Sequence, residues 1–345
     1  PLKPHDTSAA RPPEELRMPS YPHLSSRIAV ALCATGICVL ATGSAHSQYP
    51  ERPIRMIVPL AAGGGGDFGA RLFAQKLSEE LNQQVVVDNR PGASGVIGAD
   101  LAAKSVPDGY TILWVSSSHV VLPSLHKKLP YDTVKDFSAV SMLVTYPFVL
   151  VAHPSVAAKT VGELLAYAKA NPGKLTYASS GSGSTAHLPA ELLKSISGAD
   201  ITHVPYKGSG PAITGLLSGE TGIGFFSAAG TLQHVKAGRL RALATTGEKR
   251  SPQAPTIPTV DEGGVKGYEA STWGGILLPA KASRPLVESL HATLMKITVQ
   301  QDVKDRLAPL DATTVGNKPA EFQAIIEKEI VKWGKVVRSS GAKLD

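Results

Sequence analysis

From Pro53 onward the chain alternates between two spacings of apolar residues. Short apolar runs of strand length are followed by stretches with apolar residues at helical spacing. "IRMIVPL" (54–60), "QVVVDNR" (84–90) and "YTILWVSSS" (110–118) predict strands, and "DFGARLFAQKLSEEL" (67–81) and "GVIGADLAAKS" (95–105) predict helices. Successive β-α units of this kind imply an α/β fold with a mostly parallel sheet and helices on both faces.

The middle of the chain repeats the pattern. "FVLVAHP" (148–154), "LTYASS" (175–180), "ITHVPY" (201–206), "TGIGFFS" (221–227) and "LRALATTG" (240–247) predict strands. Helices are expected over 160–173, with Thr160 as cap and a Pro-Gly stop, and over 184–198, 211–219 and near 230–237. The Pro/Gly-rich segment 251–264 reads as a surface loop, "STWGGILLPA" (271–280) as a late strand, and 285–300 and 318–341 as closing helices. Two similar α/β halves with a late strand and C-terminal helices suggest a chain that crosses between lobes twice. Small ligands bind in such clefts, at the carboxyl ends of the strands.

The beginning of the chain follows a different pattern. After Arg27 comes "IAVALCATGICVLATGSAHSQ", an apolar run short for a membrane span and ending in small residues. It reads as an export signal cleaved before Gln48, with Ala45 and Ser47 at the −3 and −1 positions. Met18 begins a signal of normal length, so residues 1–17 read as an over-extended start. A retained membrane anchor is the alternative. Both cysteines, Cys33 and Cys38, fall inside the run, so the exported chain would hold no thiol chemistry and no disulfide. With 345 residues and 43% hydrophobic content, the chain can fill two cores without one. The formal net charge of +7 favours anionic ligands through long-range steering. The basic residues are scattered, with no aromatic-interleaved stripe, so nucleic acid is not indicated.

Two loops carry candidate chemistry. In "IVPLAAGGGGDFGARLFAQKL" a strand, four glycines and a helix leave backbone N–H groups free to meet an anion, with Asp67 as a helix cap. A phosphate-binding P-loop needs Gly-Lys-Ser/Thr, and here Gly66 is followed by Asp67 and Phe68. The dinucleotide pattern is met only loosely by Gly64, Gly66 and Gly69, and a tight turn with no ligand is the bland alternative. "SSGSGSTAHLPAELL" (179–193) repeats the arrangement, with Ser182, Ser184 and Thr185 able either to grip a carboxylate or simply to cap a helix. No G-x-S-x-G elbow is present, and His187 on the first turn of a helix suits loop orientation better than base catalysis. His119, His153 and His203 show no metal-ligand spacing.

These motifs, in order, carry a family likeness. "YPERPIRMIVPLAAGGGGDFGARLFAQKL", "VVVDNRPGASGVIGADLAAKSVPDGYTIL", "KKLPYDTVKDF", "HVPYKGSGPAITGLLSGE", "KAGRLRALATTGEKRSP" and "PTIPTVDEGG" followed by "WGGILLPA" resemble the solute-binding receptors of tripartite tricarboxylate transporters, the Bug receptors. The resemblance runs from Tyr49 to Asp345. It implies a two-lobed Venus-flytrap of the periplasmic binding protein type II class, without catalysis or cofactor. Lobe one would combine 48–148 with 271–345, and lobe two would span 149–270. It further implies a monomer that takes a small organic anion to membrane transporter subunits. A ligand carboxylate would be held at Ala61, Ala62, Gly63 and Gly64 with Asp67, at Ser116, Ser117 and Ser118, at Ser180, Gly181, Ser184 and Thr185 with His187, and near Phe226 and Ser227.

Two departures bear on the ligand. Many relatives carry an Asp where this chain reads Phe226-Ser227, so the acidic partner for an ammonium group is missing and aromatic surface replaces it. Gly274 stands where relatives carry a bulkier residue, which implies a roomier cleft. Both favour a carboxylate without a cationic group, with Phe226 packing into the lobe core as the competing reading. A sensor module feeding a signalling system, or a secreted hydrolase, are the alternative functions.

Overall fold

The computed structural model describes residues 49–340 apart from Gly64 and Gly183. The described residues from Pro50 onward form one compact unit. The expected export signal and its cleavage site therefore lie outside the described residues, as does Gly64.

The first β-α units lie where the periodicity places them. They are β1 (Ile54–Val58), α1 (Gly65–Leu81), β2 (Val85–Asn89), α2 (Val96–Ala103) and β3 (Thr111–Ser116). Two elements follow that the pattern does not announce, α3 (Ser118–Leu125) and β4 (Phe137–Tyr146). The next series is β5 (Phe148–Ala152), α4 (Val161–Ala170), β6 (Thr176–Ser179), α5 (Leu188–Ser197), β7 (Thr202–Pro205), α6 (Ser209–Leu217), β8 (Ile223–Ser227), α7 (Ala228–Lys236) and β9 (Arg241–Thr245). Then come β10 (Thr272–Pro279), α8 (Arg284–Thr298), α9 (Gln301–Leu307), β11 (Thr313–Thr314) and α10 (Pro319–Ser340).

Local chemistry sets several of these boundaries. Thr160 caps α4, its Oγ1 accepting the Glu163 N–H at 3.1 Å while Glu163 reaches back to the Lys159 N–H at 2.7 Å. The helix expected from Ser184 instead begins at Leu188. Residues 184–187 form a turn in which the Ser184 carbonyl accepts the His187 N–H, and the Ser184 hydroxyl caps nothing.

The strands form two sheets, ordered β11-β4-β10-β3-β1-β2 and β7-β6-β8-β5-β9. Each sheet is mixed where mostly parallel ones are expected. β1 runs parallel to β2 and β3, but β10 inserts between β3 and β4 antiparallel to both. In the second sheet β6 is parallel to β7 and β8, and β5 is antiparallel to β8 and β9. The crossings between sheets are the physical cause. β4 passes into β5 through Pro147 alone, which has no N–H to extend a ladder, so β5 enters its sheet already running outward. β10 makes the return journey and fills the centre of the first sheet.

The buried residues explain why β10 and β4 do not alternate. From Trp273 to Pro279 every residue of β10 is buried, as are eight of the ten residues of β4. Helices cover both faces, so these strands read as continuous apolar runs. Trp114, Tyr177, Phe73, Phe225 and Phe322 are the largest fully enclosed side chains.

Candidate functional site

A cleft of about 830 Å³ is walled by the carboxyl ends of β1, β3, β4 and β8 and the amino ends of β5 and β10. Leu60 and Ala61 come from the β1–α1 loop, Gly66 and Asp67 from the first turn of α1, Trp114 and Ser116 from β3, and Thr272, Trp273 and Gly274 from β10. Opposite them stand Ser180, Thr185 and Ala186 before α5, Ser209 and Ile213 on α6, and Phe225, Phe226 and Ser227 on β8. Tyr146, Pro147 and Phe148, where the chain first crosses between sheets, complete the wall with Leu310.

Two other cavities fit an anion less well. A recess of about 1150 Å³ is walled only by residues 154–264, so a ligand there could not bridge the two sheets. A cavity of about 560 Å³ behind the crossings presents Glu248, Glu269, Asp311 and Glu329. Against these four stand Lys249 and Arg250, so the lining is acidic on balance, although burial, the largest influence on both, pushes the Asp311 and Glu329 carboxyls above their usual range.

The first loop is held in shape by Asp67. Its side chain is almost fully buried, with Oδ2 accepting the Gly63 N–H and Arg71 Nε at 2.9 Å each and Oδ1 accepting Asn89 Nδ2 at 2.8 Å. Asn89 also donates to the Leu60 carbonyl at 3.0 Å and accepts Arg71 Nη2 at 2.7 Å. Burial alone would raise the Asp67 pKa, but the hydrogen bonds from Arg71, Gly63 and Asn89 together outweigh it and hold the carboxyl below its ordinary range. Asp67 is thus an ionised group whose acceptors are engaged by the protein. Ala62 and Gly63 are exposed on the same loop, beside the cleft wall.

The serines after β3 divide their roles. Ser116 lines the cleft and its Oγ lies 2.8 Å from Ser118 Oγ. Ser117 is buried and turned to β10, with Oγ 2.6 Å from Thr272 Oγ1.

Behind the serine-rich loop sits a cluster of rings. His187 is buried and stacks on His203 at 4.2 Å, which in turn stacks on Tyr177 at 4.7 Å. Desolvation, opposed by Glu191, lowers the His187 pKa, and desolvation together with His187 pushes His203 down to about 4. His187 is not part of the cleft wall, and neither are Gly181 and Ser184 of the same loop.

Phe226 answers to both sequence readings. It lines the cleft, and it is 2% exposed in a cluster with Val149, Val151, Ala178 and Leu216. The ring is therefore wall and core at once. Gly274 does not enlarge the cleft as the residue type suggests: a Cβ there would overlap the Trp114 indole, which fills the space. Gly69 on α1 makes room for the same ring and for the Tyr146 hydroxyl. Trp114 Nε1 and Tyr146 Oη have no hydrogen-bond partner among the described residues.

Seven of the sequence-expected residues thus meet at one cleft: Ala61, Asp67, Ser116, Ser180, Thr185, Phe226 and Ser227. Trp114, Tyr146, Phe148, Phe225, Ser209, Ile213, Thr272 and Trp273 join them without having been expected. The apolar members sit in runs that read as core, and only the position of Trp114, two residues before Ser116, offered a signal.

Residues 69–342 match the family model described as tripartite tricarboxylate transporter family receptor. The chain is 39% identical over 319 residues to Protein BugT of Bordetella pertussis, covering 91% of this chain and 98% of that protein. Among solved structures it resembles R. palustris Rpa4515 with adipate, at 35% identity and a TM-score of 0.74, covering 86% of this chain and 100% of the other. It also resembles MatC (Rpa3494) from Rhodopseudomonas palustris with bound malate, at 29% identity and a TM-score of 0.71, covering 84% and 100%.

Proposed function

Because the chain belongs to the tripartite tricarboxylate transporter receptor family, we propose that it is a periplasmic receptor for a small organic carboxylate without an ammonium group, delivered to the membrane subunits of such a transporter. The observation that carries the ligand class is the charge inventory of the cleft. Among the described lining residues there is no Lys, Arg or His, and the one carboxylate, Asp67, spends its acceptors on Gly63, Arg71 and Asn89. A ligand carboxylate would meet neutral donors, namely backbone amides of the two loops and the hydroxyls of Ser116, Ser180, Thr185, Ser209 and Thr272. An ammonium group would find no free carboxylate and would stay desolvated at a cost of several kcal/mol.

Phe148, Phe226 and Trp273, backed by the enclosed rings of Trp114 and Phe225, give the ligand body an aromatic wall. Adipate and malate in the two similar structures support the class, since both are carboxylates without a cation. Walls drawn from both sheets allow a bound ligand to favour the closed arrangement over the open one by touching both. The role is binding and transfer, with no catalytic step.

Calorimetry against aliphatic dicarboxylates, aromatic monocarboxylates and amino acids tests the proposal. Carboxylates lacking an amine should bind and raise Tm. Tight binding of amino acids with no response to the others would overturn the ligand class.

A further inference from the structure

The serine-rich loop is fastened by a residue outside the cleft wall. Ser179, the last residue of β6, is fully buried, and its Oγ lies 2.6 Å from His203 Nε2. The same Oγ accepts the Gly181 N–H at 3.1 Å and lies 3.1 Å from the Gly181 carbonyl. Gly181 adopts a φ of 127°, a left-handed turn that brings Ser180 to the cleft. The turn therefore depends on where Ser179 Oγ is held.

His203 is placed to hold it. It pairs in register with Tyr177 across β6 and β7, and the rings of Tyr177, His203 and His187 stack nearly parallel. The other charged or titratable groups facing the stack are Glu191 and Lys194. Glu191 Oε1 accepts the Tyr177 hydroxyl and Lys194 Nζ and lies 3.8 Å from His187 Nε2.

We propose that His203 is the positioning residue of the serine-rich jaw: its neutral ring completes the Ser179 hydrogen bonds that hold the Gly181 turn and so presents Ser180 and Thr185 to the ligand carboxylate. The inference rests on the cleft reading above. Either neutral tautomer serves. An unprotonated Nε2 accepts the Ser179 proton, and an Nε2–H donates to Oγ and leaves that proton for the Gly181 carbonyl. A second proton leaves Nε2–H able to donate to Ser179 Oγ but places a charge in a stack where burial and the neighbouring His187 oppose it, so acid weakens the hold of the stack on the half-buried ring.

Two substitutions separate the hydrogen bond from the stack. His203→Gln keeps a group able to bond Ser179 and has no ring, whereas His203→Phe keeps a ring and has no polar atom. The readouts on the exported chain are the amide resonance of Gly181 from pH 7 to 3.5 and calorimetric titration with adipate. In the wild type the Gly181 resonance should follow the His203 ring titration, with a midpoint near 4. His203→Gln should keep the pH 7 resonance and lose the inflection, with adipate affinity within about threefold. His203→Phe should unfold at a similar denaturant concentration, move the Gly181 resonance at pH 7 and weaken adipate about tenfold. An unchanged Gly181 resonance in His203→Phe, or one that ignores the His203 titration in the wild type, would overturn the proposal. If the wild type does not take adipate, adipate as a ligand fails, and the resonance still decides the role of His203.

Discussion

Asp67→Asn isolates the tie that shapes the glycine loop. The carboxylate accepts three hydrogen bonds, two at Oδ2 from Gly63 and Arg71 and one at Oδ1 from Asn89. An amide offers one acceptor oxygen and one NH2 group, so in either orientation a donor faces a donor. Asn89 cannot turn to relieve this, because its Nδ2 also holds the Leu60 carbonyl and its Oδ1 takes Arg71 Nη2. One buried donor left without a partner costs about 1–3 kcal/mol. The lost charge on the Arg71 pair adds less than about 1 kcal/mol, since that guanidinium is half exposed.

Chemical denaturation at pH 7 should therefore show a loss of about 2–3 kcal/mol, and carboxylate affinity should fall as the loop loosens. The pH dependence carries a sign. The folded pKa of Asp67 lies below its unfolded value, so its contribution is present above about pH 4 and disappears as pH falls through the folded pKa. The gap between wild type and variant should close in acid. A difference under about 0.5 kcal/mol at pH 7, or one that does not change with pH, would refute the assignment of Asp67 as the loop's tie.

Three further outcomes follow from the same geometry. Gly274→Ala drives a methyl into the Trp114 ring and should cost about 1–3 kcal/mol in denaturation, a penalty that Trp114→Phe in the same chain should reduce. Phe226→Ala should destabilise the fold by about 3 kcal/mol, and calorimetry should show aromatic carboxylates weakened more than short aliphatic ones, because the ring is both core and wall. Buried His119, with Nε2 3.2 Å from the Thr133 carbonyl, has its pKa pushed down to about 4, chiefly by desolvation. The unfolded state binds its proton first, so stability is full above about pH 6.5 and falls by up to about 3 kcal/mol toward pH 4, a slope that His119→Leu should flatten in acid titrations.

The sequence alone determined the succession of β-α units, the strand-glycine-helix and strand-serine-helix loops, and the family, because hydrophobic period and turn chemistry are local properties. Thr160 as a cap and the glycine loop after β1 are read from adjacent residues, and they occur where expected. Tertiary structure decided whatever depends on residues far apart in the chain. β4 and β10 are buried on both faces and carry no alternation to read, so their antiparallel insertion, and with it the mixed sheets, appeared only once the chain had crossed between sheets. Asp67 read as a cap or a ligand group until Asn89, 22 positions away, was seen to occupy it. Gly274 suggested space until Trp114 was found in that space. The aromatic character of the cleft belongs to neither loop by itself, since Trp114, Phe148, Phe226 and Trp273 come from four different strands and share a wall only because the two sheets place the carboxyl ends of β3 and β8 and the amino ends of β5 and β10 around one cavity.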